Sequence, residues 1–332
     1  MENKAIFRAV LFRRTGTIHI KDGKDCEDSV SRSYDAQTGV SAVALSDGAG
    51  SCTKAGVGSD ITARLAAELL AQKFNLLYDL DDDTASSYIL REVTAALRTE
   101  AERDGTAFEQ YSATLLLAAM HPDGRYLIFH VGDGAVIGFT DKCESIALSL
   151  YDHAGAVNET TFVTEPDTEY RILRGSGGFY AFSLMSDGPE EFMANEVDVS
   201  PRATLMHQLA FALSENDMEQ QLDSMVELFN EKGMYDDASF ALISDSRASA
   251  AVFRSMNSTL RETLIGTDAG PKQARRREVV IQILSAGTAG VTVQEMTRRL
   301  HTHSPRITRK KMQPFIDRGI VELAVGKYHL VR

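Results

Sequence analysis

From Val57 to Arg103 the apolar residues recur at helical spacing, first as Val57, Ile61, Leu65, Ala66, Leu69, Leu70 and Phe74, then through a second amphipathic run from Ser86. On either side the apolar stretches are short and end on Gly or polar clusters. Residues 6–12 (IFRAVLF), 39–46 (GVSAVALS), 112–120, 125–131, 135–140, 178–186 and 239–243 all read as strands, and two further helices are expected over 201–213 and 217–230. The first two of the middle strands are joined by HPDG, so 112–140 reads as an antiparallel meander. Two paired helices set among strands, without regular βαβ alternation, lead to packed sheets flanked by helices. The expected class is α+β.

At 332 residues with 43% hydrophobic content, the chain fits one large domain and one small one. No apolar run reaches bilayer-spanning length and MENKAIFRAV lacks a secretory h-region, so no membrane partner and a cytoplasmic location are expected. Cys26, Cys52 and Cys143 have no CxxC spacing and are read as reduced thiols. Charge divides the chain: residues 271–332 carry 13 Lys/Arg against 4 Asp/Glu, net +9, while 1–270 carry 22 against 43, net −21. An acidic body suits cation binding, whereas a basic tail meets the electrostatic precondition for a polyanion.

The division expected from these patterns is a large domain over 1–250, a linker over 251–271 and a small domain over 272–332. In the last of these, 273–285 has helical periodicity, Thr292 and Glu295 form a capping box, Ser304 and Pro305 start another helix, and IVELAVGKYHLV alternates about Gly326. Three helices and a hairpin resemble a winged helix-turn-helix domain, with Pro314 expected to kink or shorten the third helix. Arg306, Arg309, Lys310 and Lys311 on that helix, with Lys327 on the wing, are the candidates for DNA contact, against a solvated or protein-docking face.

Two apolar runs, AVALSDGAGS and AFSLMSDGP, climb onto Asp-Gly, and VGDGA, DCEDS and YDDAS add further acids at strand ends. The set is Glu27, Asp28, Asp47, Asp133, Asp187, Asp236 and Asp237. One such pair alone is most often a turn. Several brought to one place are tolerable only with cationic charge among them, and oxygen ligands without His or Cys clusters favour Mg²⁺ or Mn²⁺ over zinc.

In order, CEDS, SDGAGS, SATLLLAAM, VGDGAV, LMSDG and DDASFALI resemble the metal-dependent type-2C (PPM) protein serine/threonine phosphatase family, bacterial branch; His19, Gly23, Cys26 and Asp28 match its first motif. The resemblance spans residues 8–244 and implies a four-layer α/β/β/α sandwich of two antiparallel sheets. It also implies two Mn²⁺ or Mg²⁺ ions and an accessory third, with Asp47 bridging, Gly48 giving a carbonyl, Asp187 and Asp236 ligating, Glu27 and Asp28 holding metal or its water, and Asp133 serving the third ion. Asp237 stands where the family has Asn and is given a supporting role.

The implied reaction is hydrolysis of phosphoserine and phosphothreonine by metal-activated water, with Asp47 and Asp28 as its catalytic carboxylates and a phosphorylated protein as substrate. A serine/threonine kinase is the implied counterpart. Two departures stand out. Ala49 occupies the position of a proton-donating His, for which His19, read as lying on an apolar strand, is a substitute; Gly23 occupies that of a phosphate-binding Arg, for which Lys24 or Lys21 is one. These departures support an alternative, a DNA-binding regulator whose phosphatase-like body is a weakly active or inactive sensor.

Overall fold

The computed structural model describes residues 6–150, 160–194, 198–265, 290–317 and 321–330. It divides into two compact units, one of 1–210 with 215–245, the other of 211–214 with 246–332.

The first unit is built on two five-stranded sheets. One has the order β1 (Phe7–Arg14), β10 (Ala238–Asp245), β9 (Phe179–Met185), β6 (Ala135–Thr140), β7 (Ser145–Ser149); the other runs β2 (Ser29–Tyr34), β3 (Ser41–Ser46), β4 (Leu115–Met120), β5 (Arg125–Val131), β8 (Arg171–Ser176). All neighbouring strands are antiparallel. Strands β3 and β4 are buried along their whole length. Their alternate residues serve two cores. Val43, Leu45, Leu116, Ala118 and Met120 meet Phe182, Leu184, Ala241 and Ile243 between the sheets. Ala42, Ala44, Leu115, Leu117 and Ala119 face α2 (Ala55–Asp79) and α3 (Asp82–Asp104). Burial on both faces is why these strands read as unbroken apolar runs instead of alternating ones.

Helix α2 presents Ala63, Ala66, Ala67, Leu70, Ala71, Phe74 and Leu77, whose alanines let it lie close on the sheet while the larger residues fill the core. Helix α3 starts where Asp81 accepts the Thr84 N–H at 2.9 Å and stops at Gly105 in the left-handed region. The other sheet is covered by α6 (Glu215–Asn230), which buries Met218, Leu222, Val226 and Phe229 and packs on β1, by α4 (Asp187–Met193), whose Phe192 stacks on Phe229, and by α5 (Pro201–Ala212). The layers are α/β/β/α, as expected.

The meander expected over 112–140 is corrected. Strands β4 and β5 do pair, but β6 belongs to the opposite sheet, between β9 and β7. Gly132 (φ +93°) and Gly134 (φ +88°) make the crossing, which L side chains strain to adopt, and a Cβ on Gly134 would stand 2.5 Å from the Met185 carbonyl oxygen. Strands β2, β7 and β8 and the short helix α1 (Thr17–Asp22) were not expected; His19 lies on that helix and not on a strand.

Helix α5 carries a buried imidazole, His207, stacked on Phe139 and 3.0 Å from the Ser145 hydroxyl through Nδ1. Burial pushes its pKa down from 6.5 to about 3. The unfolded chain therefore takes up the proton first, and the stability due to the neutral ring is complete above pH 6.5 and is lost as pH falls toward 3. At pH 4.5, two units below the ordinary value, that loss is about 2–3 kcal/mol. The gap in unfolding free energy between the parent and His207→Gln, measured by urea titration, should shrink by about that amount between pH 7 and 4.5; a constant gap would refute the assignment.

Within the second unit, α7 (Ser249–Ser255) and α8 (Ser258–Ile265) occupy part of the stretch read as a linker. The helix expected over 273–285 lies outside the described residues. Helix α9 (Val293–Arg299) is capped by Thr292, whose hydroxyl accepts the Glu295 N–H at 3.2 Å, as its capping box predicts. Helix α10 (Pro305–Asp317) has Ser304 accepting the Ile307 N–H at 3.3 Å and runs past position 314 to Asp317, so Pro314 does not shorten it. Strands β11 (Val291–Thr292), β13 (Lys327–Leu330) and β12 (Val321–Ala324) form a small sheet in that order. Met296, Thr308, Met312, Val321 and Tyr328 are buried.

Candidate metal centre

Strand register places the acidic residues at one end of both sheets. Asp28 precedes β2 and Asp47 follows β3, and their neighbours Ser29 and Ser46 are paired. Asp133 sits in the crossing between Val131, paired with Leu115, and Ala135, paired with Met185. Asp187 follows Met185, and Asp236 and Asp237 precede β10, where Phe240 pairs with that same methionine.

The carboxylates feel one another. Asp28 is fully buried, and burial raises its pKa to about 6; the Asp237 charge adds to the rise, while the nearby Ser239, Asp47 and Ser186 groups temper it. Asp47 is pushed well above the ordinary range by burial, then by the charges of Asp28, Asp187 and Asp133. Burial, followed by Asp133, Asp236 and Asp28, lifts Asp187 to about 7. Six acids from five separate segments thus share one field. His130 lies beneath this end, its Nε2 3.1 Å from the Asp133 carbonyl oxygen and Nδ1 2.7 Å from the Ser149 hydroxyl.

Fixed backbone holds the cluster. Thr114 braces the second motif: its hydroxyl accepts the Asp47 N–H at 2.9 Å, its own N–H donates to the Asp47 carbonyl at 2.8 Å, and its carbonyl accepts the Ser46 hydroxyl at 2.6 Å. A Cβ on Gly48 would lie 2.6 Å from the backbone of Ala55 and 2.9 Å from the Glu27 carbonyl oxygen. The residue after Asp47 must therefore be glycine because two other segments press against it. Asp237 accepts the Gly16 N–H at 2.6 Å with Oδ1 and the Glu27 N–H at 2.7 Å with Oδ2, tying the first motif to the last. Ser186 and Ser239 join the fifth and last motifs: the Ser239 N–H donates to the Ser186 hydroxyl at 3.0 Å.

Of the residues expected at the site, Glu27, Asp28, Asp47, Gly48, Asp133, Asp187 and Asp236 stand at this end. His19 is 3.0 Å from Asp237 Oδ1 and 3.6 Å from Glu27 Oε2, and Lys24 reaches Glu27 Oε1 at 3.4 Å. Gly16, Ser186 and Ser239 were not anticipated; the sole sequence signal was a serine flanking each of the SDG and DDAS acids. Cys26 is not an activated thiol, because burial and then the charges of Asp28 and Asp237 push its pKa up.

The donor set fits divalent cations. Both oxygens of buried Asp28 and Oε2 of Glu27 have no partner in hydrogen-bonding geometry, a costly state unless something positive satisfies them. Asp47, Asp187 and Asp236 add oxygen ligands of the kind hard ions take.

Comparison with known proteins agrees. A family model described as Protein phosphatase 2C matches residues 15–227. Serine/threonine-protein phosphatase 3 of Escherichia coli (strain K12) is 28% identical over 232 residues, which cover 68% of this chain and 90% of that protein. Among solved structures, a bacterial serine phosphatase superposes with a TM-score of 0.50 at 17% identity, covering 72% of this chain and 98% of its own. A mutant form of a bacterial serine phosphatase gives 0.51 at 17% identity, covering 73% and 100%. These two likenesses speak for the fold. Motif order, convergent carboxylates and the match over most of the large unit lead to one conclusion: the chain belongs to the protein phosphatase 2C family, metal-dependent hydrolases that act on phosphoproteins.

Proposed function

We propose that the chain hydrolyses phosphoserine and phosphothreonine in proteins at the end of the sheets where Asp28, Asp47, Asp133, Asp187 and Asp236 meet. The observation that carries this is the mutual charge repulsion of those acids around unsatisfied buried oxygens. Asp47, Asp187 and Asp236, with the Gly48 carbonyl, would hold two divalent ions, Glu27 and Asp28 would hold metal or its bound water, and Asp133 would serve a third ion. Bound there, such ions acidify water and neutralise phosphoryl oxygens. Within the chain, Thr114 and Asp237 fix the ligands so that little reorganisation accompanies reaction. Lys24, its side chain 44% exposed beside Glu27, is placed to meet a phosphate as a point charge where the family has Arg.

Release of phosphate from a phosphothreonine peptide should be abolished by chelation and restored by Mn²⁺. A chain that binds Mn²⁺ but releases no phosphate above background would favour the sensor alternative. A kinase acting on the same serines or threonines is the counterpart such an enzyme requires.

Within the second unit, we read residues 272–332 as a winged-helix module that targets or regulates the enzyme. On α10, Thr308 and Met312 turn inward while Arg306, Arg309 and Lys310 are exposed; Lys311 and, on the hairpin, Lys327 are half-buried. This one-sided basic face supports DNA as its ligand. A mobility shift of duplex DNA at low salt should vanish on neutralising Arg306, Arg309 and Lys310 together, and no shift in the parent would count against it.

A further inference from the structure

Helix α1 is turned inside out. Ile18 and Ile20 are 50% and 62% exposed, whereas the side chain of His19 between them is only 15% exposed. Nothing apolar holds the helix down, since none of its residues is buried. Its first turn is bolted to the loop before β10: the Gly16 N–H donates to Asp237 and the Ile18 N–H to the Tyr235 carbonyl at 3.1 Å. The outcome of that arrangement is to hold an imidazole at the edge of the acidic cluster.

The ring does not behave like a hydrogen-bonding group. Nδ1 is buried 3.0 Å from Asp237 Oδ1, yet it is not in hydrogen-bonding geometry with it. That same oxygen already accepts the Gly16 N–H. On the other side of the ring, Nε2 stands 3.6 Å from Glu27 Oε2, itself buried and unpartnered. One donor atom each from His19, Asp236 and Asp237 lies within 4.8 Å of the others. Ligands about 2.1 Å from a common ion stand about 3.0–3.5 Å apart, so these atoms would have to close by at most about 1–2 Å to share one cation.

We propose that His19 is a nitrogen ligand of the cation that Asp236 holds, with Asp237 at the same edge, so that this centre has a mixed nitrogen and oxygen donor set. The inference rests on the phosphatase reading of the carboxylates and adds the metal class. An imidazole gains more from Mn²⁺, Fe²⁺ or Co²⁺ than from Mg²⁺, which keeps to oxygen. The chain therefore selects a transition ion at this position.

Pulsed electron paramagnetic resonance of the full chain loaded with Mn²⁺ alone tests it. The Mn²⁺ signal should show ¹⁴N modulation that becomes ¹⁵N modulation in protein labelled at histidine, a measurement made on the parent and independent of whether any variant folds. The modulation should be lost in His19→Gln, with Mn²⁺ affinity weakened about 10- to 100-fold and Mg²⁺ affinity changed less. Stoichiometric Mn²⁺ binding without nitrogen modulation, or modulation that persists in His19→Gln, would overturn the proposal and leave the phosphatase reading intact. Failure of the parent to bind Mn²⁺ at all would overturn both.

Discussion

Asp47→Asn should abolish metal-dependent phosphate release while making the metal-free protein more stable. The two effects share a cause. Asp47 is withdrawn from water at the end of a fully buried strand and faces the charges of Asp28, Asp187 and Asp133. Without a cation, that crowding costs free energy, and an uncharged amide of the same shape relieves it. With cations bound as proposed, the same carboxylate would join ligands from both sheets. Losing several kcal/mol of transition-state stabilisation corresponds to a fall of about 10³-fold in kcat/KM. Relief of repulsion should raise the apo Tm by several degrees. Phosphate release and thermal unfolding in chelator check the two halves; retained activity would remove Asp47 from the centre, and an unchanged apo Tm would contradict the account of crowding.

Asp237→Ala should loosen the first motif and destabilise the large unit. The carboxylate accepts two backbone N–H groups, from Gly16 and from Glu27, and is itself 3% exposed. Removing it leaves two donors unsatisfied in a buried place, at about 1–3 kcal/mol each, so a loss of about 2–6 kcal/mol is expected in urea unfolding. Asp237→Asn, the family's usual residue, keeps one acceptor and should recover part of it. A variant as stable as the parent would show that water replaces the carboxylate.

How far the sequence alone leads depends on burial. LLLAAM and AVALS are buried on both faces, so their apolar runs announced β4 and β3. SVSRSY and RILRGS, the strands β2 and β8 at the edges of the same sheet, are half exposed and carry Arg and Ser, and nothing in their pattern separated them from loop. The change of sheet at Gly132 and Gly134 was equally hidden, because HPDG correctly joined β4 to β5 and the next apolar run looked like its continuation. The site's acids were legible because nearly all adjoin an apolar run. Their braces were not: Thr114 and Ser186 are ordinary strand-end residues until the partner segment is known, and that position 16 needs glycine shows only in the fold, where a Cβ would stand 2.3 Å from the Asp236 backbone.

The place of β10 governs when during synthesis the enzyme can come into being. This strand is the last of the large unit to be made, yet it sits between β1, the first, and β9. Until it leaves the ribosome, β1 has an open edge and the acidic end lacks the segment bearing Asp236 and Asp237. A nascent chain stalled before it can neither close that sheet nor gather the whole acidic cluster at its end.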